Sequence, residues 1–232
     1  MSISVIIPVL RERDQLNDLV KTLAACAPGV PHEVIVVDGD PLGGTIKDIT
    51  DSRVITLIAR QGRAGQMNAG ALRASGDILL FLHADTRLPR GAFGKMMKAF
   101  EDGRVIGGAF DLGIDDERRI FKIIGRAASW KHRLTRVPYG DQAIFMRKSY
   151  FMALGGYPEI PIMEDVALMK RVKRKGGRIA ILPDAVATSP RKWEADGVVY
   201  TVLRNWMLQS LYLMGIPAHQ LVKFYYKGWS AK

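Results

Sequence analysis

Two runs, Val34-Ile35-Val36-Val37 and Ile78-Leu79-Leu80-Phe81-Leu82, are apolar at every position. A strand with one wet face alternates, whereas a run apolar on both sides must be covered on both sides, as the central strands of parallel sheets are. Related runs recur through the first half of the chain and predict strands at Ser4 to Leu10, Glu33 to Asp38, Val54 to Ile58, Asp77 to His83 and Val105 to Leu112. Helical spacing with polar or Gly/Pro borders predicts helices over Asp14 to Ala27, Thr45 to Asp51 and Ala64 to Ala74. This is the βαβ pattern, so the expected fold class is α/β, a mostly parallel central sheet with helices on both faces. Right-handed crossovers then bring the C-terminal ends of the strands to one edge, where open α/β sheets bind ligands.

The second half is less regular, more basic and richer in helix. Ala143 to Met146 and Arg178 to Leu182 read as strands, Glu164 to Lys175 as a helix closed by Gly176-Gly177, and Asp196 to Gly215 and Pro217 to Lys227 as C-terminal helices. Without repeat, linker or low-complexity segment, residues 1–232 read as one domain, in segments 1–112, 113–195 and the C-terminal helices of 196–232. A lone cysteine, Cys26, makes no internal disulfide and suits a reducing, cytoplasmic setting. The apolar run at Ile3 to Leu10 has no basic region before it and meets Arg11-Glu12-Arg13 at once, which fits a buried strand better than a leader. Val198 to Pro217 is interrupted by Arg204, Asn205 and Gln209, so no membrane-spanning helix is expected. Thirty-four Lys+Arg against 23 Asp+Glu give a net charge of +11, which favours polyanionic partners: nucleic acid, an anionic membrane or phosphate-bearing small molecules.

Polar residues gather where the strands end. Pro8, Asp38-Gly39-Asp40 and His83-Ala84-Asp85 each follow an apolar strand. Carboxylates brought together there need a cation or hydrogen-bond donors to offset their repulsion, and a hard divalent metal is one remedy. The segment from Gly62 to Gly70 leads into a helix with Arg63 and two amides, a setting for an anion. Glu164-Asp165 opens another helix, and an ionised aspartate there suits a base accepting a hydroxyl proton. Each feature alone also reads as a cap, a turn or an amphipathic helix start; their joint placement favours a site.

These residues carry a resemblance. Ile6-Ile7-Pro8-Val9-Leu10, Val36-Val37-Asp38-Gly39, Gln66-Met67-Asn68-Ala69-Gly70, Phe81-Leu82-His83-Ala84-Asp85, Leu154-Gly155-Gly156-Tyr157 and Met163-Glu164-Asp165 stand in the order seen in family 2 glycosyltransferases, over about residues 3 to 175. The chain resembles small bacterial single-domain members. The resemblance implies an A-type glycosyltransferase fold, a nucleotide-diphosphate sugar donor, and inversion on transfer to a hydroxyl acceptor, for which a lipid-linked molecule is one candidate. It places Pro8 and Asp38 at the nucleobase, with Glu12, Arg63, Asn68 and His83 around the donor. Asp85 becomes the ligand for Mg²⁺ or Mn²⁺ in a DxD-like element, and Asp165 the general base with Glu164 beside it. Asp141 and Gln142 in Tyr139-Gly140-Asp141-Gln142, with Arg191 and Trp193, fall to the acceptor. Two departures bear on metal affinity and ribose contacts: His83 replaces the first aspartate of DxD, and Asp40-Pro41-Leu42-Gly43-Gly44-Thr45 replaces the commoner Gly-Ser-Thr-Asp-Gly-Thr.

Three rival readings remain at this level. A nucleotidyl-transferring α/β protein would carry a Gly-rich, basic loop after its first strand, where Pro8-Val9-Leu10-Arg11-Glu12-Arg13 has no glycine. A nucleic-acid module would interleave aromatics with the basic stretch Arg118 to Arg136, where only Phe121 and Trp130 serve, so no nucleic-acid partner is expected. A non-catalytic relative would account for His83. The remaining histidines, His32, His132 and His219, read as surface or packing residues. Arg118 to Arg136, with seven Lys/Arg and no carboxylate, and Lys170 to Arg178, with six in nine, read as solvated faces or as contacts to the inner face of a membrane. Val198 to Gly215 is apolar nearly all round, so burial against the sheet domain is expected for part of it. The remainder, with Arg191, Lys192, Arg204, Lys223, Lys227, Trp193, Trp206, Tyr225, Tyr226 and Trp229 nearby, suits an anionic interface.

Overall fold

The apolar runs become β1 (Ile3–Val9), β2 (His32–Asp38), β3 (Ile55–Ile58) and β4 (Ile78–Phe81), with α1 (Leu16–Cys26) and α2 (Arg63–Arg73) in the crossovers. The computed structural model describes residues 1–12 and 15–226, apart from the side chains of Lys192 and Tyr226; Lys227 and Trp229 also lie outside the described residues. Residues 45–51, expected to be helical, hold only a 3₁₀ turn at Ile46–Asp48, because the loop before them is wound around the Asp38 carboxylate. Then follow β5 (Thr86–Arg87), α3 (Ala92–Ala99), β6 (Val105–Ile114), α4 (Arg119–Thr135), β7 (Phe145–Arg147) and α5 (Lys148–Ala153). The chain continues through α6 (Glu164–Arg174), β8 (Arg178–Thr188), α7 (Arg191–Asp196), α8 (Val198–Leu213) and α9 (Ala218–Tyr226).

The strands form one sheet in the order β3-β2-β1-β4-β7-β6-β8-β5. β1 is parallel to both β2 and β4, β2 to β3, and β6 to β8; β7 runs against β4 and β6, and β5 against β8. β8 outruns its expected end at Leu182. Pairing jumps from Phe110 opposite Leu182 to Asp111 opposite Ala185, so Pro183, which has no ladder donor, is carried in the irregularity and the strand resumes beyond it.

Helices α1 and α3 cover one face through Leu16, Leu19, Leu23, Phe93 and Met96. Helices α2, α5 and α6 cover the other through Met67, Phe151, Leu168, Met169 and Val172, around Phe81 and Tyr157. Each large apolar side chain so buried contributes roughly 1.5–3 kcal/mol. A third, small cluster of Ile162, Leu208, Ala218 and Leu221 fastens α8 and α9 to the segment that leads into α6. Helix α8 is buried in part, and the buried part is mostly polar. Its inward side is Thr201, Arg204, Leu208 and Gln209, while Val199, Leu203, Trp206, Leu213 and Met214 face outward.

Candidate active site

At the C-terminal edge of the sheet, several residues expected to meet ligands are engaged by the fold itself. Asp38 is fully buried; its Oδ1 accepts from the amide of Asp40 (2.9 Å) and its Oδ2 from those of Thr45 (2.9 Å) and Ile46 (3.4 Å). This carboxylate anchors the 39–46 loop beside the strand end where a nucleobase was expected. Pro8, opposite Val37 near the end of β1, is buried beside it. Gln66 donates Nε2 to the carbonyls of Val9 and Val37, both at 2.8 Å, and ties the ends of β1 and β2 together. Asn68 donates Nδ2 to the Tyr157 carbonyl (2.8 Å) and its Oδ1 accepts from the Tyr157 amide (2.9 Å), so it secures the Gly155-Gly156-Tyr157 turn. Gln142, fully buried, donates to the Phe110 carbonyl (2.8 Å) and accepts from the Tyr139 amide (3.1 Å), so it braces the 139–142 turn from within.

The remaining charged residues converge. Arg63 opens α2 and lies with Nε 3.4 Å from Oε1 of Glu164, a residue only 4% exposed. Its Nη1 faces Nε2 of His83 at 3.5 Å. A guanidinium can only donate, so Nε2 is the accepting nitrogen of that ring. Burial pushes the Glu164 carboxyl above its ordinary value, with Arg63 pulling it down and Asp165 adding to the rise. The Glu12 carboxyl is exposed by area yet walled by protein, and this desolvation raises it; Asp85 raises it further, while Arg191 and Arg63 oppose. Asp85, Arg63 and Arg191 therefore all lie within electrostatic reach of Glu12. Asp85 is half-buried and accepts from Thr86 Oγ1 at 3.3 Å. Its carbonyl accepts from the Ser189 amide at 3.1 Å, two residues before Arg191.

Asp165 faces this group across Gly140. Its Oδ2 accepts from the Gly140 amide and its Oδ1 from the Val166 amide, both at 2.7 Å. A Cβ at Gly140 would stand 3.0 Å from His83 Nε2 and 3.6 Å from Asp165 Oδ2, so the turn packs closely between the two and a side chain there would press on the His83 ring. Three non-glycine residues with left-handed backbone adjoin the site: Arg11 (φ 59°) next to Glu12, Ala143 (φ 50°) next to Gln142, and Met163 (φ 66°) next to Glu164. Such strain collects where surrounding structure holds a functional geometry.

Two residues that sequence reasoning missed stand behind the turn. Lys131 Nζ donates to Tyr139 Oη (2.9 Å) and to Gln209 Oε1 (2.5 Å), and the Tyr139 hydroxyl also donates to Gln209 Oε1. Burial raises the Tyr139 hydroxyl and lowers the Lys131 ammonium. His132, fully buried with its ring centroid 4.4 Å from that of Tyr139, is pushed down to about 4 by burial and by Lys131, and packs as a neutral ring. Asp141, half-buried, raises the Tyr139 hydroxyl after burial and Asp165 do. Arg191 is exposed and donates to Gln15 Oε1 (2.8 Å), while Trp193 lies edge-on to Phe121 at 6.3 Å. Among the described residues no three His, Cys, Asp or Glu side chains gather as a metal site. Asp85 with Glu12 nearby still fits Mg²⁺ or Mn²⁺, which take one or two carboxylates and complete their shell with substrate phosphates.

The sequence profile of Glycosyl transferase family 2 matches residues 4–154. The chain belongs to glycosyltransferase family 2. It is 29% identical over 109 residues to a dolichol-phosphate mannosyltransferase of Pyrococcus furiosus, covering 44% of this chain and 31% of that one. It is 30% identical over 111 residues to an undecaprenyl-phosphate 4-deoxy-4-formamido-L-arabinose transferase of Edwardsiella ictaluri, covering 44% and 34%. The chain thus spans about a third of the length of these relatives. Among solved structures it is similar to the mannosyltransferase PcManGT of Pyrobaculum calidifontis in complex with GDP-Man and Mn²⁺ (TM-score 0.64, 20% identity, 90% of this chain and 61% of that). It is also similar to S. aureus TarS (TM-score 0.60, 14% identity, 98% and 43%). The fold is the A-type glycosyltransferase fold, α/β with a mostly parallel sheet. The family match ends before Glu164, so the reading of Glu164 and Asp165 rests on their geometry.

Proposed function

We propose that this protein transfers a sugar, with inversion, from a nucleotide-diphosphate donor to a hydroxyl on a lipid-linked acceptor. The observation that carries this reading is the placement of Asp165 opposite His83, itself 3.5 Å from Arg63, across the close-packed turn at Gly140. The family supports glycosyl transfer, the Mn²⁺ and GDP-Man bound to PcManGT support a metal and a nucleotide sugar, and the two polyprenyl-linked names among the relatives support a lipid carrier.

In this reading the strand ends at Pro8 and the loop anchored by Asp38 receive the nucleobase, and Arg63, 41% exposed, meets the diphosphate. Asp85, with Glu12 beside it, holds Mg²⁺ or Mn²⁺. When bound, the cation neutralises negative charge growing on the departing diphosphate. Asp165 accepts the proton of the attacking hydroxyl as that oxygen bonds to the anomeric carbon in line with the leaving group. The amides of Gly140 and Val166 hold its carboxylate in place meanwhile. Glu164, paired with Arg63, fixes the start of α6. Asp141, Arg191 and Trp193 border the acceptor. The enzyme works at the inner face of the membrane as a peripheral protein; among the described residues no helix is long and apolar enough to cross a bilayer. Thermal unfolding against a panel of nucleotide sugars tests the donor: one base should raise Tm with Mn²⁺ and lose that effect in EDTA. No rise with any nucleotide sugar would overturn the reading.

A further inference from the structure

Helix α8 is built inside out. A helix on a protein surface in water buries its apolar side, yet α8 turns Thr201, Arg204 and Gln209 inward beside the single leucine Leu208 and leaves Val199, Leu203, Trp206, Met207, Leu213 and Met214 exposed. Arg204 Nη1 meets Asp196 Oδ2 at 2.6 Å with the two side chains 2% and 5% exposed, so a desolvated ion pair lies beneath an apolar outer side. Leu203 is 62% exposed and Trp206 61%. Helix α4 presents a second such row. Phe121, Gly125, Ser129 and His132 face the sheet, and on the opposite side Ile120, Ile123, Ala127, Trp130 and Leu134 recur at spacings of three and four, all exposed. Arg119, Lys122, Arg126 and Arg133 flank that row, and no carboxylate occurs from Arg118 to Arg136.

The helices meet where Lys131 of α4 donates to Gln209 of α8. Counted at about 100° per residue, the exposed row of each helix lies just outward of that contact. The two rows therefore border one another.

We propose that this joint face of α4 and α8 seats the protein on an anionic bilayer. Charge complementarity selects the occupant: the cations beside the α4 row attract acidic headgroups, whereas a second copy would set the same cations against them. Trp130 and Trp206 supply rings suited to the headgroup level, with the aliphatic side chains below them. The inner sides of the same helices carry the site. Leu208 packs with Ile162 just before Glu164-Asp165, and Gln209 and Lys131 hold Tyr139 next to Gly140. Seating this face would bring Asp165 near the surface from which a lipid-linked hydroxyl arrives. That consequence rests on the proposed function, but the docking itself is tested without turnover.

The full chain, free of nucleotide, is mixed with vesicles of phosphatidylcholine alone or with 30 mol% phosphatidylglycerol, as about a third of the lipid, and sedimented at low and high salt. Binding to the anionic vesicles alone, weakened by salt and accompanied by a blue shift of tryptophan emission, is expected. Leu203→Ser/Trp206→Ser and, separately, Lys122→Glu/Arg126→Glu should each lower partitioning about tenfold or more while leaving the circular dichroism spectrum unchanged. The charge-reversed pair lies on solvent-exposed positions and keeps the test open if the apolar pair fails to fold. No binding at low salt, equal binding to neutral vesicles, or a concentration-dependent dimer that buries Trp206 would overturn the proposal. Vesicle binding by a protein that takes no nucleotide sugar would overturn the function and leave the surface standing.

Discussion

Replacing Arg63 by methionine isolates the buried pair that joins the two halves of the site. Breaking a fully buried ion pair by removing one partner costs roughly 3–5 kcal/mol, because the remaining charge is stranded. Arg63 is 41% exposed and its Nε lies 3.4 Å from Glu164 Oε1, so solvent screening brings the expected loss to about 1–3 kcal/mol. For a chain of this size that is a fall in Tm of roughly 2–10 °C at pH 7.5. The pH dependence identifies the stranded group. Burial already raises the Glu164 carboxyl above 4.5 despite Arg63, and removing the guanidinium raises it further. A carboxyl raised in the folded state binds its proton more tightly than in the unfolded chain. Its contribution is thus fully present below the ordinary value and is lost as pH climbs through the raised one. The Tm gap between wild type and Arg63→Met should be widest near pH 8 and narrow toward pH 5. The double variant Arg63→Met/Glu164→Gln removes the Glu164 part, so any gap that remains reports other partners of Arg63, such as His83 at 3.5 Å. Thermal unfolding by circular dichroism across that range reads all three proteins. A gap constant with pH, or undiminished by Glu164→Gln, refutes the pairing.

Asp85→Ala should abolish the Mn²⁺-dependent part of nucleotide-diphosphate affinity in calorimetry; equal wild-type affinity in Mn²⁺ and in EDTA would remove the metal role. Asn68→Ala leaves the Tyr157 amide and carbonyl without partners and should cost about 2–4 kcal/mol in denaturant unfolding, with nucleotide affinity little changed in the folded fraction. A large affinity loss with no stability loss would return Asn68 to the donor pocket. Gly140→Ala should displace His83 or the amide bonded to Asp165 and lower kcat about tenfold or more, with a smaller change in donor KM, in steady-state kinetics. Wild-type kcat would mean that the turn does not position the base.

The sheet was legible because burial on both faces leaves a mark that nothing else imitates: Val34 to Val37 and Ile78 to Leu82 had few alternatives to central strands. Short elements left no such mark. Two-residue β5 exists because Thr86 pairs with Thr188 far along the chain, and α3 lay in a stretch with no strong start signal. Within the site, residue type did not announce that Asp38, Asn68 and Gln142 bond to the backbone of the fold itself. A carboxylate or amide at a strand end looks the same in sequence whether it faces a ligand or its own loop amides, and only tertiary geometry decides. The converse holds for Lys131 and Gln209, 78 positions apart, whose meeting no local pattern announces. Which part of helix α8 is buried was not legible either, because an apolar composition does not foretell that Arg204 and Gln209 turn inward while Leu203 and Trp206 stay exposed.

Sugar transfer by Asp165→Asn against wild type is the most direct measurement. Both proteins are given Mn²⁺, the labelled nucleotide sugar that raises Tm, and anionic vesicles carrying lipid extracted from bacterial membranes, and label in the lipid phase is followed with time. Wild type should move label into lipid, whereas Asp165→Asn should bind the donor equally and transfer on the order of a hundredfold more slowly. A variant as fast as wild type, or a wild type that binds donor and moves no label, would contradict transfer with Asp165 as the base.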